Sequence, residues 1–267
     1  VGKSTFVEAL GLYLADAGHR LAVLAVDPSS PLSGGSILGD KTRMEALGRR
    51  PEVFIRPSPS SGQLRGVGRA GRETILLCDA AGIDTILVET VGVGQSEVTV
   101  KSMTDVFLLL LQPGAGDDLQ GIKRGIVEMA DILAVNKTDG DLTAAARRTA
   151  ADYRRAVHLF PAAPSGWTPR VVNSSALDRT GIEEIWTLVE KFRTDPALVR
   201  YVSGLRVTQR ARWLREIVES NLLRSVDPLL KRSDPPTSQT NLYEAAAHLL
   251  ADFYHHQQRL QPTTPEK

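Results

Sequence analysis

Val1-Gly2-Lys3-Ser4-Thr5 decides how this chain of 267 residues is read. The stretch matches the second half of the phosphate-binding pattern G-x-x-x-x-G-K-S/T. In that pattern backbone N–H groups wrap a phosphate chain, the lysine reaches the terminal phosphates and the hydroxyl binds Mg2+. A helix opening at Ser4 adds the partial positive charge of its N-terminus at the same point. Val1, Gly2, Lys3, Ser4 and Thr5 are therefore candidate phosphate contacts, and Ser4 is a candidate metal ligand. The first glycine of the pattern and the strand leading into it are expected upstream of Val1, in a longer chain. A helix that merely starts at Ser4 carries the same letters, so the weight falls on what surrounds the stretch.

The residues downstream alternate between helix and strand patterns. Ser4 to Ala17 has apolar residues at helical spacing and stops at Gly18. Leu21 to Val26 is a nearly continuous apolar run, the signature of a strand buried on both faces of a parallel sheet. Further strands are expected at Val53–Pro57, Thr85–Val88, Val106–Leu111, Ile132–Val135 and Arg170–Val172. Helices are expected at Gly68–Ala81, Ile122–Met129, Leu142–His158 and Ile182–Phe192. This order predicts an α/β fold with a doubly wound, mostly parallel sheet. Ligands on such sheets bind beyond the carboxyl ends of the strands. After Pro196 the pattern turns wholly helical, with Val207–Leu230 and Leu242–Tyr254 separated by Ser233-Asp234-Pro235-Pro236. The expected domains are thus residues 1–196, a nucleotide-binding domain, and 197–267, a helical extension.

Composition narrows the class. Hydrophobic residues make up 42% and charged residues 24%, as in soluble globular proteins, and the net charge is +1. No basic field points to nucleic acid, and no apolar run is long enough to cross a bilayer. Cys78 is the only cysteine, which excludes an intrachain disulfide framework. A nucleotide site with a lone thiol favours a reducing interior, so a cytoplasmic location is expected, or the mitochondrial matrix in a eukaryote. Cys78, Trp186 and Trp213 read as packing residues. His255 and His256 are adjacent, and neighbours on a helix point apart, so they read as a solvated face.

Three constellations carry chemistry. Asn136-Lys137-Thr138-Asp139 follows a buried strand and fits N-K-x-D. Guanine presents donors at N1 and its exocyclic amine; the Asp139 carboxylate can accept both, and adenine lacks that pair. Asn136 either ties the loop down or contacts the base, and the stem of Lys137 covers its face. Ser174-Ser175-Ala176, followed by Leu177, fits an auxiliary base loop after the last strand. Glu89 ends a strand where a magnesium-binding carboxylate belongs. Gly92 can offer its N–H to the γ-phosphate, and Gln95 either orients the attacking water or is a plain loop residue. Asp27 ends a strand beside the phosphate loop, and Asp40 lies in a long glycine-bearing loop.

Taken together, Asp27-Pro28-Ser29-Ser30, the run from Ser33 to Met44, and Glu89-Thr90-Val91-Gly92-Val93-Gly94-Gln95-Ser96-Glu97 resemble the MeaB/MMAA/ArgK group. These are G-protein chaperones of adenosylcobalamin-dependent methylmalonyl-CoA mutase, in the signal-recognition/MinD-like branch of P-loop GTPases. The resemblance implies that Lys3, Ser4, Asp27, Asp40 and Glu89 are the phosphate, Mg2+ and hydrolysis positions. It implies that Asp27–Met44 and Glu89–Glu97 are switches, and that Gln112–Lys123 is a further switch facing the mutase. It implies GTP, GDP and Mg2+ as ligands, a homodimer, and a mutase partner, with neither nucleic acid nor membrane. Two other readings stay open. One is a nickel-insertion GTPase, whose usual His-rich or Cys/His metal sites are missing from this sequence. The other is a kinase of a periplasmic amino-acid transport protein, against which the guanine-type N-K-T-D argues.

Overall fold

The computed structural model describes residues 1–26, 44–56, 66–90, 96–114, 124–233, 237 and 241–260. In chain order the elements are α1 (Lys3–Asp16), β1 (Leu21–Val26), α2 (Glu45–Gly48), β2 (Val53–Arg56), α3 (Gly66–Ala80), β3 (Thr85–Thr90) and α4 (Ser96–Lys101). Next come β4 (Leu108–Leu111), α5 (Arg124–Met129), β5 (Ile132–Val135), α6 (Thr143–Val157), β6 (Arg170–Asn173), α7 (Ile182–Thr194), α8 (Pro196–Arg232) and α9 (Leu242–Leu260).

The strands form two parallel three-stranded sheets, ordered β2-β1-β3 and β4-β5-β6. Side chains alternate across each, so both faces need cover. In β1, Leu21 and Val23 face α1, while Ala22 and Leu24 face Ile75 and Cys78 of α3. In β5, Ala134 joins the α1 side, while Leu133 and Val135 pack with Val127, Ala146, Ala150 and Tyr153 of α5 and α6. Helices therefore cover both faces, and the doubly wound α/β architecture follows. The core around α1 draws on both sheets, taking Leu87 from β3 and Leu108 and Leu110 from β4, and it runs on to Ile182, Ile185 and Trp186 of α7. Each fully buried Leu, Ile or Val stabilises the fold by about 1.5–3 kcal/mol relative to exposure. Gly11 lets α2 press onto α1, because a Cβ there would sit 2.6 Å from Leu47 Cδ2.

Several boundaries differ from the expectation, each for a local reason. The strand expected from Val106 begins at Leu108, because the Phe107 N–H donates to Asp131 Oδ2 at 2.8 Å instead of joining a ladder. Strand β3 runs on through Glu89 and Thr90, since β1 continues beside it with Ala25 opposite Glu89 and Val26 opposite Thr90. The helix expected from Val207 starts at Pro196. Asp195 Oδ1 accepts the Ala197 N–H at 2.8 Å and the Leu198 N–H at 3.4 Å, and Pro196 lacks the donor that a first helical turn leaves unused. Asp195-Pro196 is thus the local start signal, whereas the amphipathic pattern alone places the start at Val207. The chain divides into two compact units, Val1–Val207 and Thr208–Lys267, with the division inside α8. Among the described residues no helix is long and apolar enough to cross a membrane.

At the amino end of β5, Asp131 holds several elements. Its Oδ2 accepts from Lys101 Nζ at 2.6 Å as well as from Phe107 N. Its backbone carbonyl accepts from Trp167 Nε1 at 2.9 Å and Arg170 N at 3.2 Å. The Asp131 side chain is 11% exposed and that of Lys101 24%, so both are shielded from solvent. Replacing Asp131 with Ala strands the buried Phe107 N–H and the Lys101 ammonium, and is expected to cost about 2–4 kcal/mol. Lys101→Met, which strands only the carboxylate's outer side, should cost less. Urea unfolding of the two variants checks both the size and the order.

Candidate functional site

The carboxyl ends of β3, β5 and β6 converge on the N-terminus of α1. Gly2 caps this helix at φ 83°, and its first turn receives no side-chain cap. A side chain at Gly2 would be strained by that φ and would place a Cβ 3.2 Å from Asn136 Nδ2. The uncapped amides and the helix dipole face outward, the arrangement a phosphate needs. Thr5, one residue further along, is exposed.

Lys3 and Ser4 meet the end of β3. Lys3 Nζ donates to Thr90 Oγ1 at 3.4 Å, and Ser4 Oγ donates to Glu89 Oε1 at 3.4 Å. The structure thus sets side by side two of the residues read as metal ligands, Ser4 and Glu89. Their hydroxyl and carboxylate oxygens are the hard donors that Mg2+ prefers. Thr90 is a partner the motif did not point to, because its role depends on β3 reaching two residues beyond Val88.

The base-reading half stands next to the phosphate loop. Asn136 is 1% exposed; its Nδ2 donates to the Val1 carbonyl at 3.0 Å, and its Oδ1 accepts the Ala176 N–H at 3.1 Å. One side chain therefore fastens the loop before α1 to the loop after β6. Thr138 N donates to Ser174 O at 3.1 Å, a second tie between residues 136–139 and the loop after β6. Ser175 Oγ donates to Asp139 Oδ1 at 2.6 Å and accepts the Asp178 N–H at 3.1 Å. An ionised carboxylate has about four acceptor positions, so the serine aims Asp139 and leaves capacity for two donors of a ligand. Lys137 adopts φ 62°, is exposed, and carries its stem along Gly2. Leu177 is 76% exposed beside buried Ala176. Gly181 turns the loop into α7 at φ 73°, where a Cβ would stand 2.2 Å from Asn173 O, so no other residue fits without moving the backbone.

The structure thus brings together Val1, Gly2, Lys3, Ser4, Glu89, Asn136, Lys137, Asp139, Ser175 and Ala176. Asp27, Asp40, Gly92 and Gln95 lie outside the described residues, as does most of Gln112–Lys123.

A family model described as "Methylmalonyl Co-A mutase-associated GTPase MeaB" matches residues 1–228. The chain belongs to this family. A Caulobacter vibrioides protein named "Putative GTPase" is 52% identical over 83% of this chain and 68% of its own. The mouse "Methylmalonic aciduria type A homolog, mitochondrial" is 50% identical over 83% of this chain and 54% of its own. Escherichia coli "GTPase ArgK" is 49% identical over 83% of this chain and 67% of its own. The chain thus spans between about half and two thirds of the length of these relatives. Among solved structures, "LAO/AO transport system kinase" superposes with a TM-score of 0.66 at 35% identity, covering 96% of this chain and 78% of its own. "HypB from Helicobacter pylori in complex with nickel" has a TM-score of 0.50 at 17% identity, covering 72% of this chain and 82% of its own, a likeness of fold alone. The family is one of P-loop GTPases, and in this chain Gly2-Lys3-Ser4-Thr5 and Asn136-Lys137-Thr138-Asp139 lie at the carboxyl ends of β3 and β5.

Proposed function

We propose that this chain binds GTP with Mg2+ across the ends of β3, β5 and β6, hydrolyses it to GDP and phosphate, and uses its nucleotide state to assist an adenosylcobalamin-dependent methylmalonyl-CoA mutase in loading or protecting its cofactor. The observation that carries the reading is the pair of hydrogen bonds made by Asn136, which ties the phosphate loop to the loop after β6. The family description and the mouse relative's name support the mutase as partner.

Each residue has a physical task. Lys3 and the first-turn amides of α1 offset negative charge on the phosphates, and Ser4 and Glu89 hold Mg2+, which neutralises charge shared by the β- and γ-phosphates. Asp27 and Asp40 complete the metal and water shell. Asp40 or Gln95 orients the attacking water, and Gly92 offers its amide to the γ-phosphate. Lys137 and Leu177 flank the base, and Asp139 reads its edge. A cytoplasmic location, or the mitochondrial matrix in a eukaryote, suits these ligands and the lone buried Cys78.

The base reading is tested by Asp139→Asn. An amide can no longer accept both guanine donors, but it can donate to the oxygen that xanthine carries in place of guanine's amine. GTP affinity should fall by about tenfold or more, and xanthosine triphosphate should become the better ligand. Titration calorimetry with both nucleotides decides it, and unchanged GTP affinity would remove Asp139 from the base site.

A water-positioning group that a partner helps to place makes hydrolysis slow alone and faster in the complex. Mutase is therefore expected to raise the single-turnover rate through Gln112–Lys123. Replacing Asp117 and Asp118 by Asn should leave the intrinsic rate near that of the parent and blunt stimulation. Equal stimulation of parent and variant rules that segment out.

The helical extension is proposed to build a homodimer. Leu214, Val218 and Leu222 share one stripe of α8 and are 63%, 48% and 53% exposed. An apolar stripe of this kind marks an association surface. Light scattering at micromolar concentration should give twice the monomer mass, and a shift to monomer with Leu214→Glu and Val218→Glu together.

A further inference from the structure

The phosphate-binding lysine has a partner that no motif assigns to it. Lys3 and Ser4 are consecutive on the first turn of α1, and Glu89 and Thr90 are consecutive at the end of β3. The donors and acceptors match as a pair of pairs: Ser4 Oγ to Glu89 Oε1 and Lys3 Nζ to Thr90 Oγ1, both at 3.4 Å. Thr90 is still inside the sheet, with Val26 of β1 opposite it. Its backbone is therefore fixed, and its branched Cβ restricts its rotamer, so the hydroxyl is presented from a stiff mount.

We propose that Thr90 is a positioning residue for the GTPase reaction, its hydroxyl presetting the Lys3 ammonium beside Ser4 and Glu89 before the nucleotide arrives. A lysine head on a four-carbon stem is strongly hydrated and rotates freely; ordering it in advance removes part of the cost of ordering it on binding. The chemistry of a hydroxyl suits this task. It is neutral, so Lys3 keeps its full charge for phosphate, whereas a carboxylate at that position would compete for the ammonium. A lysine ammonium has three donors, so Lys3 can keep its bond to Thr90 while the other two turn to the ligand. The inference rests on Lys3 being a phosphate ligand, and it adds a side chain outside the P-loop that acts through Lys3.

The test is GDP affinity of the full-length protein, measured by titration calorimetry for Thr90→Val, Thr90→Ser, Lys3→Met and the Lys3→Met/Thr90→Val pair. Thr90→Val keeps the branched shape without the hydroxyl and should weaken GDP by about three- to tenfold, while Thr90→Ser stays within about twofold of the parent. Because Thr90 acts through Lys3, adding Thr90→Val to Lys3→Met should change affinity by less than about twofold. Parent-like binding by Thr90→Val, or a loss in the Lys3→Met background as large as in the parent, overturns the proposal. Parent-like binding by Lys3→Met alone overturns the phosphate role of Lys3 itself, a separable failure. Thermal melts run alongside confirm folding, and Thr90→Ala carries the same expectations where the valine does not fold.

Discussion

The site depends on one buried amide. Asn136 has both ends of its side chain engaged, the nitrogen on the Val1 carbonyl and the oxygen on the Ala176 N–H. Each bond is worth only about 1 kcal/mol net, but an unmet buried partner costs more, so the pair behaves as a latch that is either closed or expensive to open. Through it helix α1, the strand that precedes N-K-x-D and the loop that follows β6 share one frame. The proposed nucleotide reaches from the phosphate loop to the base loop, and it can be gripped at both ends only if these keep their spacing.

Packing beneath the latch keeps that frame stiff. Helix α1 lies over the sheet faces, with Phe6, Leu10 and Leu14 in a core that takes side chains from β1, β3, β4, β5 and β6. At the opposite end of the strands, Asp131 gathers Lys101, Phe107, Trp167 and Arg170 around one residue. The ligand-facing end is polar, uncapped and built from glycine turns at Gly2 and Gly181, whereas the far end is closed by a paired charge. The fold thus places its unsatisfied amides where an anion can use them.

Most of the strands and the α/β class were legible in the residues. Leu21–Val26 and Ile132–Val135 are apolar on every position, and such runs have little choice but to be central strands buried on both faces. Asn136, Asp139, Lys3 and Ser4 belong to patterns whose spacing is dictated by phosphate and base geometry. The helix start at Pro196 is also written locally, in the Asp195 cap, but an amphipathic pattern read from Val207 onward does not register it. The late start of the strand expected from Val106 was not local at all; it needed the Asp131 carboxylate, at the head of the neighbouring strand, to draw off the Phe107 amide.

The sequence by itself determined the fold class and the family, because apolar periodicity and short motifs are properties of neighbours along the chain. Tertiary structure decided which of those residues meet. That Asn136 bonds Val1 and Ala176 rather than only capping its own loop follows from the parallel register that sets β5 beside β6 and both beside α1. That Thr90 accepts from Lys3 follows from β1 holding β3 in line to its last residue. Hydrogen bonds between residues 85 or more positions apart leave no period in the sequence, since only the packed sheet brings their atoms within 3.5 Å.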